Sequence, residues 1–350
     1  MLGKDQEENV KDDLEAKNTK AVALLSGGLD SSLAVRMMLE QGVEVEAIAI
    51  KTPFCDFDCG KGCGHRVKQV SADLGIPLKT IYFGDEYLKM LKNPKHGYGS
   101  GMNPCIDCRA MMYREAKKHM EEIDADFIVT GEVLFQRPMS QNSRALRIIE
   151  EETDTTGRVL RPLSAKGLAP TKAEKACLVN RENLGDIKGR SRKDQLKLAK
   201  HFNIENPPNS AGGCLLTDPA FSKRVKDSYD HASDTPNLND VELLKIGRHF
   251  RISSDAKLIV GRNMEENEKI TTLSTSDDII IEAMDYVGPI CLLRGKKLDE
   301  RSVYISSGIA LRYSDSPKGI KGRVRALIQG KEEEIHVASA LDEEVVKLRI

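Results

Sequence analysis

The sequence predicts an α/β fold in which parallel strands alternate with helices through the first half of the chain. Three short apolar runs are typical of buried strands, at residues 21–25, 45–50 and 126–130. Stretches with helical spacing lie between or beside them, at residues 31–41, 65–74 and 105–122. Alternation of this kind indicates a parallel sheet that is covered by helices on both faces.

After Pro236 the pattern changes to short strand-like runs that are separated by turn residues. The runs are residues 257–260, 279–282, 290–293, 303–305, 323–328 and 335–338. They predict a second, β-rich α+β domain. We therefore expect an acidic tail over residues 1–18, a first domain over 19–230, a polar linker over 231–239 and a second domain over 240–350.

Composition excludes several classes of protein. The formal net charge of the 350 residues is −1, which gives no whole-chain signal for nucleic acid or membrane. No apolar run is long enough to span a bilayer, and the charged first eighteen residues lack the apolar core of a secretory signal. We expect a cytoplasmic protein with no membrane partner.

One stretch departs from this neutral balance. Residues 158–226 contain fifteen lysines and arginines against six acidic residues. Such an excess predicts a surface that contacts the phosphates of RNA, although a solvated helix face is the alternative. The triplet Arg190, Arg192 and Lys193 is the most concentrated part of the stretch.

A Ser/Gly-rich loop joins the first predicted strand to the first predicted helix. Glycines allow a tight turn close to a phosphate, and hydroxyl and N–H groups at the start of a helix bind anions. No lysine follows the glycines, so the loop is not the GxxxxGK[ST] type. Its candidate anion-binding residues are Ser26, Gly27, Gly28, Asp30, Ser31 and Ser32.

This loop resembles that of the PP-loop ATP pyrophosphatase family. The resemblance implies a doubly wound sheet of the adenine nucleotide alpha hydrolase-like type. It also implies that ATP is cleaved to AMP and pyrophosphate while a substrate is adenylated. The six loop residues would then hold the pyrophosphate portion of ATP, and Asp30 would take part in catalysis and help to place Mg²⁺.

A second segment resembles the 4-thiouridine synthetase branch of that family. Thr130-Gly131-Glu132 follows a predicted strand, Gln136 comes soon after, and Ser-Gln follows at residues 140–141. The resemblance implies that Thr130, Gly131 and Gln136 contact the nucleotide. Phe135 stands where that branch usually has a glycine. An Arg-Pro-Leu at residues 161–163 also resembles the RPL of the branch.

Three cysteines form a candidate sulfur-handling site. Cys105 and Cys108 follow an Asn-Pro at the start of a predicted helix, and Cys214 lies in a distal glycine-rich segment. This layout resembles the 2-thiouridylase branch, but it has three thiols where that branch has two. Three thiolates with an open position suit a 4Fe–4S cluster, and a helix N-terminus favours a nucleophilic thiolate. Zinc, a redox pair and two buried structural thiols are the alternatives.

Other cysteines divide into a second cluster and two isolated residues. Cys55, Cys59 and Cys63 have Cx3Cx3C spacing, with His65 two residues further on. This spacing favours zinc or another cluster, and a loop without metal is the alternative. Cys177 and Cys291 are predicted to be core residues.

The second domain contains two strand-like segments with glycine and charged residues, at 245–250 and 258–263, followed by Glu265, Asn267 and Glu268. Over about thirty residues these resemble the RNA-binding domain of NFACT proteins. An ordinary β-hairpin with charged turns is the alternative.

Together these features favour an ATP-dependent tRNA sulfurtransferase that makes a thiouridine. Its expected partners are tRNA and a sulfur donor such as a cysteine desulfurase or inorganic sulfide. One alternative is an amidating or nitrile-forming PP-loop enzyme with structural zinc. Another is an RNA-binding factor whose ATP site only gates binding.

Overall fold

The structure is a computed structural model that describes residues 18–54, 63–204, 207, 214–231 and 235–350. Its chain forms two compact units. The first contains the described residues of Met1–Ile50, Gly62–Ile81 and Arg109–Ser210. The second contains those of Lys51–Lys61, Tyr82–Cys108 and Ala211–Ile350. The linear boundary expected at residues 231–239 stays a prediction.

A five-stranded sheet organises the first unit. Its strands are β1 (Lys20–Leu24), β2 (Glu44–Lys51), β3 (Leu78–Tyr82), β4 (Phe127–Thr130) and β5 (Val159–Leu160). Their order is β3-β2-β1-β4-β5, and β1 pairs in parallel with both β2 and β4. The predicted parallel α/β sheet is confirmed. The strand order changes direction between the neighbouring strands β1 and β4. Sheets of this type bind ligands at such a point, beyond the carboxyl ends of the strands.

Seven α-helices occur among the described residues that precede residue 202. They are α1 (Leu29–Leu39), α2 (Cys63–Leu74), α3 (Asp85–Lys92), α4 (Cys105–Glu122), α5 (Ser143–Glu152), α6 (Lys172–Lys175) and α7 (Lys193–His201). Helix α4 illustrates their construction, because Ala110, Tyr113, Ala116 and Met120 recur at helical spacing and are all buried. No helix in the described residues is long and apolar enough to cross a membrane.

An antiparallel six-stranded sheet organises the second unit. Its strands are β6 (Arg248–Arg251), β7 (Ala256–Val260), β8 (Ile279–Ala283), β9 (Cys291–Gly295), β10 (Lys321–Ile328) and β11 (Lys331–Ala338). Their order is β11-β10-β8-β9-β7-β6. The helices of this part are α8 (Pro219–His231), α9 (Leu238–Leu244), α10 (Met264–Leu273), α11 (Glu300–Arg312) and α12 (Asp342–Leu348). The predicted second, β-rich domain is confirmed.

One predicted strand of this domain is wrong, because residues 303–305 lie inside α11. The Asp299 side chain accepts a hydrogen bond from the N–H of Ser302 at 2.8 Å and so caps the helix. Val303, Ile309 and Ala310 then pack into the core of the sheet. A three-residue apolar run is too short to distinguish a strand from one turn of a buried helix.

Candidate active site

The loop after β1 leads directly into α1, and hydroxyl groups fix its shape. Ser31 Oγ and Ser32 Oγ donate to the carbonyl oxygen of Gly28 at 2.9 and 3.0 Å. Ser26 Oγ lies 3.1 Å from Ser31 Oγ and accepts from the N–H of Gly28 at 3.4 Å. Gly28, the N-cap, has no side chain to occupy the first N–H groups of α1. These groups can therefore bind an anion at the positive end of the helix.

Two glycines bring other segments close to this loop. Gly27 has a φ of +72°, and a Cβ there would lie 2.9 Å from Val67 Cγ2. A Cβ on Gly131 would lie 2.4 Å from the backbone nitrogen of Ser31. Only glycine fits such an approach. The segment after β4 is therefore packed directly on the loop after β1.

Asp30 and Gln136 make the second connection between these segments. Gln136 Nε2 donates to Asp30 Oδ2 at 2.9 Å. Asp30 Oδ1 is buried and has no hydrogen-bond partner among the described residues. A carboxylate oxygen in this state fits a Mg²⁺ ion, which prefers a few carboxylates together with phosphate oxygens. Asp30 is thus the residue of the loop suited to hold the metal.

A buried polar network lies behind this edge and centres on Glu132, which is 2% exposed. Its Oε2 accepts from Tyr113 Oη at 2.5 Å, from Arg161 Nε at 3.1 Å and from Thr130 Oγ1 at 3.2 Å. Its Oε1 lies 3.7 Å from Arg109 Nε. The hydroxyl of Thr130, predicted to contact the nucleotide, therefore donates to Glu132 in this structure.

Electrostatics keep this network charged. Burial opposes ionisation of Glu132, but Arg109 and Arg161 outweigh it and lower the pKa of that carboxyl. Arg161 also donates through Nη1 to Glu150 Oε1 at 2.6 Å. The network joins the two short motifs TGE and RPL, which are separated in sequence. A buried ion pair of this kind fixes the geometry of the strand end more than it adds stability.

The basic stretch divides into interior and surface charges. Arg161 is buried in the network above, and Arg181 pairs with Glu174. In contrast, Arg190 and Lys193 are exposed and Arg192 is half-buried, around the start of α7. The surface charge available to an RNA backbone is therefore smaller than the residue count predicts.

Backbone contacts in the second unit bring the cysteine segments together. Met102 N–H donates to the carbonyl oxygen of Leu216 at 3.1 Å. A Cβ on Gly101 would lie 2.5 Å from that same oxygen, and Gly101 has a φ of +63°. Cys105 follows Met102 by three residues and Cys214 precedes Leu216 by two. The three half-buried thiols at 105, 108 and 214 are therefore held in neighbouring segments.

Asp107 is a functional candidate that the sequence analysis missed. It lies between Cys105 and Cys108 in the first turn of α4 and is 8% exposed. Its carboxylate accepts from the N–H groups of Lys95 and His96 at 2.9 and 3.1 Å. Asp107 therefore ties the loop before α4 to the turn that carries both thiols. An acid in the first turn of a helix was the available signal.

The described side chains do not form a cluster of metal-binding residues. In these residues no three His, Cys, Asp or Glu side chains converge to hold an ion. Three thiolates suit a 4Fe–4S cluster chemically, but the described side chains of Cys105, Cys108 and Cys214 do not converge to hold one. Cys55 and Cys59 lie outside the described residues, and Cys63 is described only as the backbone start of α2.

The two isolated cysteines differ from one another. Cys291 is fully buried, as predicted, and burial raises the pKa of its thiol. The prediction for Cys177 is wrong, because this thiol is exposed. Cys177 has a φ of +57° and its N–H donates to the carbonyl oxygen of Glu174 at 3.2 Å. It therefore terminates α6 in a left-handed conformation and turns away from the core.

The parallel sheet and its serine–glycine loop define a PP-loop nucleotide-binding domain. Residues 16–169 match the family model described as "Thiamine biosynthesis protein (ThiI)". Residues 247–349 match the model described as "NFACT protein RNA binding domain". The chain thus carries a ThiI PP-loop domain and an NFACT-type domain. The predicted resemblances to the PP-loop family and to the NFACT RNA-binding domain are confirmed.

Curated relatives share much of this length. The chain is 24% identical to the tRNA-specific 2-thiouridylase MnmA of Ehrlichia ruminantium (strain Welgevonden), over 89% of each protein. It is 31% identical to the tRNA-specific 2-thiouridylase MnmA of Bradyrhizobium sp. (strain ORS 278). That match covers 69% of this chain and 62% of the relative.

Solved structures resemble parts of the chain. A 4-thiouridine synthetase–RNA complex with bound ATP is 25% identical with a TM-score of 0.34, over 53% of this chain and 52% of that one. The chain therefore spans about half the length of that protein. The U34-tRNA thiolase NcsA from Methanococcus maripaludis, with its [4Fe-4S] cluster, is 17% identical with a TM-score of 0.33. That match covers 65% of this chain and 72% of the thiolase.

Proposed function

We propose that the protein is an ATP-dependent tRNA sulfurtransferase that converts a uridine of tRNA to a thiouridine. The observation that carries the proposal is the contact between the two motif segments, where Gly131 packs on Ser31 and Gln136 bonds to Asp30. This contact unites, at one sheet edge, the ATP loop and the TGE segment that thiouridine synthetases share. The match to the ThiI model and the 2-thiouridylase relatives support the same activity.

The first chemical step is adenylation. The loop residues and the N–H groups of α1 hold the pyrophosphate portion of ATP, and Asp30 helps to hold Mg²⁺. A uracil carbonyl oxygen attacks the α-phosphorus, and the bond to pyrophosphate breaks. Mg²⁺ supplies charge neutralisation for the phosphates in this step. Adenylation is required because oxide is a poor leaving group, whereas AMP is a good one.

Sulfur transfer is assigned to Cys105, Cys108 and Cys214. An external donor, such as a cysteine desulfurase, places a persulfide on one thiol. The terminal sulfur attacks the activated carbon, and AMP leaves with the former carbonyl oxygen. A second thiol then attacks the remaining cysteine sulfur, which releases the thiouridine and leaves a disulfide. A dithiol reductant restores the two thiols.

A 4Fe–4S cluster on the three cysteines is the alternative way to supply sulfur. Such a cluster would need the three thiols to converge, which they do not among the described residues, and inorganic sulfide would be its sulfur donor. A zinc ion on the same thiolates would have only a structural role. The NFACT-type domain and the exposed charges before α7 are proposed to bind tRNA.

Nucleoside mass spectrometry of tRNA tests this function. We expect cells that lack the gene to lose one thionucleoside, and a wild-type copy to restore it. The Asp30→Ala variant should not restore it, whereas the exposed-thiol variant Cys177→Ala should. An unchanged set of thionucleosides in the deletion would contradict the proposal. An absorption spectrum of anaerobically purified protein distinguishes the two routes to sulfur transfer. A band at about 400 nm indicates an Fe–S cluster, whereas the persulfide route requires none.

A further inference from the structure

The loop between Glu132 and Gln141 presents an exposed aromatic ring beside the ATP loop. Phe135 is 52% exposed, whereas its neighbours Val133 and Leu134 are buried. The next residue is Gln136, whose amide reaches Asp30 at 2.9 Å. The ring therefore belongs to the segment that borders the phosphate-binding residues.

The backbone of Phe135 is strained. Its φ is +63°, in the left-handed region that phenylalanine rarely adopts. Such a conformation costs free energy and persists only when the surroundings enforce it, which occurs most often at functional sites. Here the N–H of Phe135 donates to the carbonyl oxygen of Gln141 at 2.6 Å, which closes the loop. A strained backbone that keeps a large apolar ring in solvent is not explained by core packing.

The other side of the loop adjoins the basic segment before α7. Leu134 N–H donates to Ser164 Oγ at 3.0 Å, and its carbonyl oxygen accepts from Gly189 N–H at 2.7 Å. Arg190 follows Gly189 directly, and its side chain is exposed. Phe135 is therefore flanked by the ATP loop on one side and by a cationic segment on the other.

We propose that Phe135 is a stacking residue for a base of single-stranded RNA, next to the site where a uridine is adenylated. This inference rests on the proposed function and adds a residue that positions the substrate. Proteins that bind single-stranded RNA combine an aromatic stacking surface with cations that follow the backbone. Phe135 supplies the surface, and the segment from Arg190 to Lys193 supplies the cations.

Fluorescence gives a direct test because the chain contains no tryptophan. Phe135→Trp creates a single reporter, and we expect unmodified tRNA to quench it by stacking. Met139→Trp is the matched control, since Met139 is exposed in the same loop and should be quenched less. ATP alone should leave the Phe135→Trp signal unchanged. Quenching by ATP without RNA would assign the ring to adenine and overturn the proposal.

Binding measurements separate stacking from a structural role. Phe135→Ala should weaken tRNA affinity by about 5- to 150-fold, the range found for loss of one stacked base, and leave ATP affinity unchanged. Phe135→Tyr should bind as the wild type. Phe135→Gly should bind tRNA as poorly as Phe135→Ala, yet its Tm should stay level or rise because glycine relieves the strain. Wild-type tRNA affinity in Phe135→Ala, or a lower Tm in Phe135→Gly, would overturn the inference.

The RNA-stacking test of Phe135 and the thionucleoside test of the proposed function can fail separately. RNA quenching of Phe135→Trp, together with no thionucleoside from the wild-type protein, would retain RNA stacking and remove the sulfurtransferase activity. Normal thiolation without RNA quenching of Phe135→Trp would retain the sulfurtransferase activity and remove the stacking role of Phe135.

Discussion

Gln136 Nε2 donates to Asp30 Oδ2 at 2.9 Å and so joins two segments that are 106 residues apart in sequence. The bond occupies one oxygen of the carboxylate and leaves Oδ1 buried without a hydrogen-bond partner among the described residues. The amide of Gln136 therefore fixes the orientation of the Asp30 carboxylate. We therefore expect substitution of Asp30 to impair the reaction with ATP.

Asp30→Ala should abolish the formation of AMP and pyrophosphate, because the Mg²⁺ ligand is removed. Asp30→Asn retains an oxygen that can accept from Gln136 but loses the charge, so it should be nearly as inactive. Gln136→Ala should lower kcat by about 10-fold, the effect of losing an orienting hydrogen bond of about 1.4 kcal/mol. Separation of adenine nucleotides by chromatography measures all three. ADP as the product would remove the PP-loop interpretation.

Alanine at Cys105, Cys108 or Cys214 should reduce thiolation alike where the three thiols act as one unit, whereas the persulfide route, which uses two thiols, would leave one of the three variants active. Adenylation, measured as ATP–pyrophosphate exchange, should persist in each variant. Cys177→Ala is the control, since its thiol is exposed and terminates a short helix. Cys291→Ala should also keep activity, with a modest loss of stability of about 1 kcal/mol for a small core residue. Full thiolation by Cys214→Ala would contradict the three-thiol unit.

A triple change of Arg190, Arg192 and Lys193 to alanine should flatten the dependence of tRNA affinity on salt. Each lost phosphate contact lowers the slope of log K against log salt by about 0.7 to 0.9. ATP affinity should not change. A charge-matched control is Lys68, Arg114 and Lys118 to alanine, which are exposed on α2 and α4. An identical slope in the first variant and the wild type would assign the RNA contact to other residues.

Lys257 should make stability depend on alkaline pH. Burial lowers the pKa of this lysine from 10.5 to about 8, although Asp227 lies 3.6 Å away and opposes the shift. The unfolded chain therefore binds more protons than the folded one between these values. The contribution of Lys257 to the free energy of unfolding, measured as the difference between the wild type and Lys257→Met, should therefore rise by about 1–3 kcal/mol across pH 8 to 10.5, since one pKa unit corresponds to about 1.4 kcal/mol.

Urea unfolding at several pH values measures this effect in Lys257→Met and in the wild type. The variant should lose the rise and be at least as stable at pH 7, because Arg251 still pairs with Asp227. Lys331→Met, an exposed position on β11, should keep the rise. A parallel pH profile in Lys257→Met and the wild type would show that another group titrates.

The sequence by itself determined the α/β class, because uninterrupted apolar runs such as residues 45–50 and amphipathic stretches such as 105–122 are local patterns. It also predicted an anion-binding loop, since Gly27 and Gly28 lie between a predicted strand and a predicted helix. The motifs also indicated a PP-loop thiouridine synthetase and an NFACT-type RNA-binding domain, and the ThiI and NFACT models match these two parts of the chain. Sequence patterns did not predict some short or half-exposed elements, such as β3.

Only the tertiary structure decided which residues meet. The bond of Gln136 to Asp30, the burial of Arg161 against Glu132 and the role of Asp107 in holding its loop all join positions that no local period relates. It also contradicted two predictions from sequence: residues 303–305 are helical rather than a strand, and Cys177 is exposed rather than in the core. The physical reason is that short apolar segments satisfy either secondary structure, and long-range burial selects between them. Composition likewise counted Arg161 as surface charge, whereas its partners Glu132 and Glu150 hold it in the interior.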